Sequence, residues 1–288
     1  MSTLVGRVLA YGRMIKFSHS IFALPFALAS AVLAAQGGVR LAQVFFIVVA
    51  MLGARSAAMG FNRLADQAID AKNPRTAGRE LPMGALARGE VWVFVLVSST
   101  ALVFAAAELN PLCLALSPVA LLVILGYSYT KRFTALSHVV LGLALAIAPV
   151  GAWIAIRGRF DALPLVLALA VLAWVAGFDT IYSCQDVEFD RREGLHSLPA
   201  MLGVRRALLV ARGLHVIAVA LLAGVYSLVP LHPLYLGGVA CIALLLAYEH
   251  SLVRADDLSR VDAAFFTVNG WISVGYLATT AAARWLTL

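Results

Sequence analysis

The chain has 288 residues, of which 62% are hydrophobic and 13% are charged, and its mean hydropathy is +0.92. Soluble domains carry about 25% charged residues, so this composition excludes an ordinary soluble domain and predicts a membrane protein with several spans. The formal charge of +7 does not indicate a nucleic-acid partner, because basic cytoplasmic loops of membrane proteins give the same sign.

Apolar runs long enough to cross a bilayer recur along the whole chain. A membrane helix needs about 20 predominantly apolar residues. Nine runs approach that length, and they predict an all-α membrane protein whose nine transmembrane helices form a single domain over residues 1–288. Because eight runs follow the first, we expect it to be an uncleaved helix rather than a signal peptide. The predicted spans are 17–36, 41–61, 91–107, 111–130, 136–156, 162–182, 207–229, 234–253 and 264–286.

The distribution of lysine and arginine predicts the orientation of these spans. Of the 22 basic residues, 17 lie in the N-terminal tail or near the loops that follow the second, fourth, sixth and eighth runs. Four lie on the opposite side. Because positively charged loops stay in the cytoplasm, we expect the N-terminus and the two polar loops, residues 62–90 and 183–206, to be cytoplasmic.

The second apolar run ends in a polar helix face. Asn62, Asp66 and Asp70 are spaced four residues apart, so all three project from the same side of a helix. Arg55 lies seven residues earlier, on nearly the same face. It falls inside the apolar run, where an arginine is costly and usually functional.

The sixth apolar run ends in a second set of this kind, which comprises Asp179, Tyr182, Asp186 and Asp190. One such set alone is explained equally well as a functional site or as solvated charges at the end of a helix. Two matched sets beside basic loops on the same predicted side indicate a single site. Mg²⁺ prefers oxygen ligands and binds through one or two carboxylates plus substrate phosphates. The pattern therefore predicts a metal–diphosphate ligand, with basic side chains on the phosphate oxygens.

The order of the motifs resembles a known family. The sequence carries NxxxDxxxD from Asn62, RxxGRxLPxG from Arg75, YSxxKR from Tyr127 and DxxYxxxDxxxD from Asp179. Together these motifs resemble the UbiA superfamily of intramembrane aromatic prenyltransferases, and the resemblance covers nearly the whole chain. It implies an enzyme that transfers a polyprenyl group from a polyprenyl diphosphate to an aromatic acceptor, with Mg²⁺ as cofactor. It also implies a bacterial-type inner or plasma membrane and an active site that faces the cytoplasm.

The resemblance further implies a role for each motif residue. The residues expected to hold two metal ions are Asn62, Asp66 and Asp70 for one and Asp186 and Asp190 for the other. The residues expected to be catalytic are Asp66, Asp186, Tyr182 and Arg55. The residues expected to bind substrate are Arg79, Lys131, Tyr127, Asp179 and His196.

Some of these roles stay open at the level of the sequence. Arg55 either holds the diphosphate or orients the acceptor. Tyr182 and Tyr127 are expected to steady an allylic cation with their π faces, although Tyr127 is equally well explained as an interfacial aromatic residue. Asp179 lies deeper than the other aspartates and is expected to act through a hydrogen bond. His196 contacts phosphate or acceptor, or is an ordinary loop histidine.

Two stretches narrow the resemblance to one branch. Residues 15–28 and 177–197 resemble 4-hydroxybenzoate polyprenyltransferases and, equally, the prenyltransferase of the futalosine route to menaquinone. Both imply ubiquinone or menaquinone biosynthesis, but the acceptor is 4-hydroxybenzoate in one and a larger futalosine-derived aromatic in the other. The Ser18-His19-Ser20 stretch and His196 slightly favour the second.

Two alternatives belong to other classes. A small-molecule transporter also carries intramembrane charges, but it would not need two aspartate sets at the same cytoplasmic edge. A CDP-alcohol phosphotransferase uses aspartates and Mg²⁺, but its DGxxAR-type motif is missing from this sequence. The expected partners are therefore the prenyl diphosphate, the aromatic acceptor and membrane lipid, without nucleic acid, and the sequence predicts no oligomeric state.

Overall fold

The computed structural model describes residues 4–15, 22–35 and 38–287, and this part of the chain is built from helices. The β structure in this part of the chain is an isolated bridge between Arg254 and Asp257. Ser18-His19-Ser20 lies outside the described residues. The α-helices of the described part are α1 (Leu4–Met14), α2 (Leu24–Ala34), α3 (Leu41–Lys72), α4 (Arg88–Leu109), α5 (Pro111–Thr130), α6 (Ser137–Arg157), α7 (Ala162–Ser183), α8 (Val187–Arg192), α9 (Leu198–Leu202), α10 (Val204–Val225), α11 (Leu234–Leu252) and α12 (Asn269–Trp285).

Seven of the described helices are long and apolar enough to cross a membrane. They are α3 to α7, α10 and α11, and α7 continues through a 3₁₀ turn, Cys184–Asp186, into α8. They coincide with the second to eighth predicted spans. The first and ninth predicted spans fall on shorter helices, since α2 has 11 residues and α12 has 17 after a π-helical turn, Ala263–Val268. The predicted count of nine spans therefore stays a prediction.

Helix α3 is longer than the run that predicted it. It has 32 residues and ends at Lys72 rather than at residue 61. At 1.5 Å per residue its length is about 48 Å, well beyond the hydrocarbon thickness of about 30 Å. The last turns of α3, which carry Asp66 and Asp70, are therefore expected to extend toward water.

Glycines set close contacts between neighbouring spans. A Cβ atom at Gly53 of α3 would lie 2.8 Å from the carbonyl oxygen of Ser98 in α4, and one at Gly142 of α6 would lie 2.5 Å from that of Leu172 in α7. Small residues allow such approach between membrane helices. Helices α3 and α7, which carry the two aspartate sets, are each held against a neighbouring span in this way.

Helix α7 is the most buried of the candidate spans. The inside of the protein buries 67% of its apolar window, against 22% to 44% for the other six. Trp174 and Phe178 of α7 pack edge to face with each other, and both pack against Phe22. This packing fixes the helix that leads into the second aspartate set.

Candidate active site

Two cavities adjoin inside the described part of the protein. One is polar and has a volume of about 280 Å³, and the other is apolar and has a volume of about 650 Å³. All twelve residues predicted for the site line the polar cavity. They are Arg55, Asn62, Asp66, Asp70, Arg79, Tyr127, Lys131, Asp179, Tyr182, Asp186, Asp190 and His196. The fold thus gathers residues from α3, α5, α7, α8 and the loops into one chamber.

The apolar cavity lies between α3, α4, α5, α6 and α7. Its lining is almost entirely apolar. The residues that line both cavities are Arg55, Met59, Tyr127, Leu141 and Leu145. A long apolar chain in the larger cavity would therefore present its end to the polar groups of the smaller one.

Asp66 is the most buried carboxylate of the first set. Its residue is only 2% exposed. Lys131, at the end of α5, donates a hydrogen bond to its Oδ2 at 2.7 Å, and Arg132 lies 3.4 Å from its Oδ1. Asn62, one turn earlier on α3, donates to the same carboxylate at 3.0 Å. The i, i+4 spacing of the motif thus produces the predicted shared face.

Asp70 is bound by the loop that follows α3. The Nη1 of Arg79 lies 2.7 Å from both of its carboxylate oxygens. Thr76 donates its hydroxyl hydrogen to the backbone oxygen of Asp70 at 3.1 Å, which folds the loop back toward the helix. The RxxGRxLPxG segment therefore brings the basic side chain of Arg79 back to the face of α3 that carries Asp70.

Asp186 ends the 3₁₀ turn between α7 and α8, so the second set does not lie on one uninterrupted α-helix. The guanidinium of Arg75 forms a two-pronged ion pair with this carboxylate, and Asn73 donates to it at 3.0 Å. Burial lowers the pKa of Arg75, but the hydrogen bond and charge of Asp186 outweigh this effect and raise it above its ordinary value. Arg75 also donates to the Tyr182 hydroxyl at 3.1 Å and lies over its ring.

Asp190 and Asp179 have partners of a different kind. Asp190 accepts a hydrogen bond from the Ser197 hydroxyl at 2.7 Å. Asp179 lies 2.7 Å from the Nδ1 of His138, which is almost fully buried. The His196 side chain is exposed, and its backbone N–H donates to the Lys131 carbonyl at 2.7 Å.

Several residues that contact the aspartates of the two sets were not predicted as site residues. They are Asn73, Arg75, Arg132, His138 and Ser197. Arg75 and Arg132 belong to the motifs in the sequence, so their place in those motifs was the available signal. Ser197 follows the predicted His196 directly. His138 had no local signal, because it stands inside an apolar run.

Three of the aspartates have basic partners in the structure. Arg75 pairs with Asp186, Arg79 with Asp70 and Lys131 with Asp66. Within the described ranges, no three His, Cys, Asp or Glu side chains are grouped as a ready metal site. The donor set is nevertheless one of hard oxygens in two groups around one cavity, which fits Mg²⁺ that is bound jointly with a diphosphate.

Comparisons with known proteins identify the architecture. The model of the UbiA prenyltransferase family matches residues 23–271. A relative from Xanthomonas euvesicatoria pv. vesicatoria named 4-hydroxybenzoate octaprenyltransferase is 34% identical over 234 residues, which cover 80% of this chain and 75% of that protein.

Solved structures have the same fold. The apo structure of a UbiA homolog from Aeropyrum pernix K1 is 36% identical and superposes with a TM-score of 0.83, covering 91% of this chain and 96% of that one. A UbiA homolog from Archaeoglobus fulgidus bound to GPP and Mg²⁺ is 20% identical and superposes with a TM-score of 0.75, covering 96% and 99%. The resemblance seen in the motifs is confirmed.

Proposed function

Since the chain belongs to the UbiA prenyltransferase family, we propose that it transfers a polyprenyl group from polyprenyl diphosphate to an aromatic acceptor in quinone biosynthesis. Family membership makes the protein a prenyltransferase. Its intramembrane charges are therefore explained by an enzyme, and the transporter hypothesis is not required. The observation that carries the proposal is the junction of a chamber of aspartates and basic residues with a larger apolar cavity.

The polar chamber is suited to a diphosphate. Asn62, Asp66 and Asp70 would hold one Mg²⁺, and Asp186 and Asp190 the other. When bound, Mg²⁺ supplies positive charge that stabilises the departing diphosphate. The basic partners of these carboxylates are Lys131, Arg79 and Arg75. Once the carboxylates have other ligands, these cations are free to donate hydrogen bonds to phosphate oxygens. A Mg²⁺-bound homologue of the same fold supports this assignment.

The apolar cavity is suited to the prenyl chain. Its apolar walls shield an allylic carbocation from water, which would otherwise add to it. Tyr127 lines the junction, and Tyr182 lines the polar side. Their π faces are expected to stabilise the cation after the allylic C–O bond has broken. An electron-rich ring carbon of the acceptor then attacks the cation and loses its proton.

We propose that Arg55 binds the acceptor rather than the diphosphate. It lines both cavities, about two helical turns before Asn62. Its buried Nε has no hydrogen-bond partner among the described residues. A buried donor without a partner costs free energy, and the carboxylate of a benzoate-type acceptor would supply one. The candidates are 4-hydroxybenzoate, which the name of the Xanthomonas relative supports, and a larger futalosine-derived aromatic, which Ser18-His19-Ser20 and His196 favour.

The function is tested by incubating the purified protein with geranyl diphosphate, Mg²⁺ and each candidate acceptor. We expect release of diphosphate in step with prenylated acceptor for one of them. The Arg55→Gln variant is expected to raise the KM for that acceptor about tenfold or more, because a charge-assisted hydrogen bond is lost. Its KM for geranyl diphosphate should change little. The absence of product with every aromatic acceptor would contradict the proposal.

The proposed topology has nine spans, a cytoplasmic N-terminus and a cytoplasmic active site in a bacterial-type inner membrane. We expect fusions of green fluorescent protein after Ala85 to fluoresce and fusions of alkaline phosphatase there to be inactive. Fusions in the loop between α6 and α7, at Gly158, should give the opposite pattern. Phosphatase activity after Ala85 would show that the 62–90 loop faces away from the cytoplasm.

A further inference from the structure

A π-helical turn lies directly before α12. It covers Ala263–Val268, and Asn269 follows it as the first residue of α12. The backbone N–H of Asn269 donates to the carbonyl of Phe266, three residues earlier, instead of continuing the α-helical pattern. Turns of this kind are rare and are found frequently at functional sites. This one carries Phe265, which lines the polar cavity.

The side chain of Asn269 holds this turn in place. It is fully buried, and its Nδ2 donates to the Ala264 carbonyl at 3.2 Å and to the Phe265 carbonyl at 3.3 Å. A π-helical turn disturbs the regular hydrogen bonds between each N–H and the carbonyl four residues earlier. Because buried carbonyls need donors, the amide of Asn269 stabilises the turn by supplying them.

Two neighbouring helices fix the orientation of this amide. Trp174 of α7 donates its indole N–H to Oδ1 of Asn269 at 2.6 Å, and Oε1 of Glu249 in α11 accepts from Nδ2 at 3.2 Å. An indole N–H can only donate and a backbone carbonyl can only accept, so the amide oxygen faces Trp174 and the nitrogen faces the turn. All three side chains are buried. The turn is therefore tied to α7, the helix that leads into the second aspartate set.

Four aromatic rings form one wall of the polar chamber. This aromatic wall consists of Phe22, Phe178, Tyr182 and Phe265. The ring centroid of Phe265 lies 4.2 Å from that of Tyr182 and 5.2 Å from that of Phe178. Leu141 and Leu145, which line both cavities, pack against the same buried cluster. The aromatic wall therefore reaches the junction at which the end of a prenyl chain would meet the polar groups.

We propose, on the basis of the proposed function, that Asn269 is a positioning residue that holds Phe265 in the aromatic wall, and that this wall keeps water from the allylic cation. When the C–O bond breaks, the diphosphate leaves with the electron pair. The cation is then attacked either by a ring carbon of the acceptor or by the oxygen of water. Attack by water, followed by loss of a proton, gives a prenyl alcohol. A closed apolar wall suppresses this second route.

The test measures how often water captures the cation. The purified protein is incubated with geranyl diphosphate, Mg²⁺ and a saturating concentration of the candidate acceptor that it prenylates, 4-hydroxybenzoate or the futalosine-derived aromatic. The geranylated acceptor and the alcohols geraniol and linalool are both quantified, and their ratio is the transfer ratio. A smaller amount of folded protein lowers both products in proportion and leaves this ratio unchanged. A defect in the aromatic wall lowers it.

We expect Asn269→Leu to lower the transfer ratio about fivefold or more, as the loss of buried hydrogen bonds predicts. Leucine keeps the branching of the asparagine side chain and removes its hydrogen bonds. Phe265→Leu should lower the ratio by a similar factor, because it opens space beside Tyr182. The KM for geranyl diphosphate should stay within about twofold of wild type in both variants, since neither replaces a charged group of the chamber.

The matched control is Tyr235→Phe. Tyr235 is fully buried in α11 and donates its hydroxyl hydrogen to the Leu222 carbonyl at 2.7 Å, but it lines neither cavity. Its replacement also removes a buried hydrogen bond and should lower the thermal midpoint. The transfer ratio should stay at the wild-type value.

A double variant separates positioning from an independent packing defect. In a Phe265→Leu background, Asn269→Leu should cause no further fall in the transfer ratio, because the two residues act as one unit. An unchanged ratio in either single variant, or additive falls in the double variant, would overturn the inference. Should Asn269→Leu fail to fold, Asn269→Ser replaces it with the same outcomes. Absence of geranylated acceptor from the wild-type protein would instead overturn the proposed function.

Discussion

Replacement of Asp66 or Asp186 by asparagine is expected to lower the rate of prenyl transfer about 100-fold or more while the protein stays folded. Asparagine keeps the size of the side chain but removes its negative charge. Each factor of ten in rate corresponds to about 1.4 kcal/mol, so this loss requires only about 3 kcal/mol. That is a modest share of what a bound metal ion supplies to a departing diphosphate.

The expected effect on stability follows from the ion pairs. Asp66 is almost fully buried, but the side chains of Lys131 and Arg132 that contact it are 32% and 34% exposed. Arg75, the partner of Asp186, is 31% exposed. When the carboxylate loses its charge, these cations can turn toward water, and ion pairs with such exposure contribute only about 0–1 kcal/mol. The thermal midpoint should therefore fall by only a few degrees.

The matched control for these variants is Glu188→Gln. Glu188 lies between Asp186 and Asp190 in sequence, but it is exposed and does not line the polar cavity. Its replacement removes the same charge two residues after Asp186 and should leave transfer within about twofold of wild type. Paired measurements of thermal midpoint and transfer rate decide the outcome. Near-normal transfer by Asp66→Asn and Asp186→Asn would remove both aspartate sets from the mechanism.

Local periodicity explains why the fold and most of the chamber could be predicted from the sequence. The apolar runs placed seven of the described helices. The spacing of Asn62, Asp66 and Asp70 placed their side chains on one face, because helix geometry depends only on neighbouring residues. Hydropathy alone ended the second span at residue 61, whereas the helix continues to Lys72. Apolar runs mark the part of a helix inside the membrane and not its polar extension.

Contacts between distant segments could not be predicted in this way. The ion pair between Arg75 and Asp186 joins residues 111 positions apart. The contact between His138 and Asp179 spans 41 positions. Both depend on how the ends of separate helices meet. The sequence alone therefore does not show which basic side chain pairs with which aspartate.

Chelation of divalent metal is expected to abolish transfer, and addition of Mg²⁺ or Mn²⁺ in excess of EDTA is expected to restore it. In the described structure the carboxylates of Asp66, Asp70 and Asp186 are satisfied by lysine and arginine. The same cations are needed to bind phosphate oxygens. Unless divalent ions take over the carboxylates, the acidic and basic groups neutralise each other and leave little charge for a diphosphate.

This exchange of partners predicts a readout that does not depend on turnover. Geranyl diphosphate and Mg²⁺ together should raise the thermal midpoint, since a ligand that binds only the folded state stabilises it by mass action. Either one alone should have a much smaller effect, because each supplies only half of the new partners. The double variant Asp66→Asn, Asp186→Asn should lose the joint effect, and Glu188→Gln should keep it. Two results would contradict the metal-assisted mechanism. One is full transfer in EDTA, and the other is an equal rise in thermal midpoint with geranyl diphosphate and no metal. Either would show that the basic side chains bind the diphosphate without releasing the carboxylates.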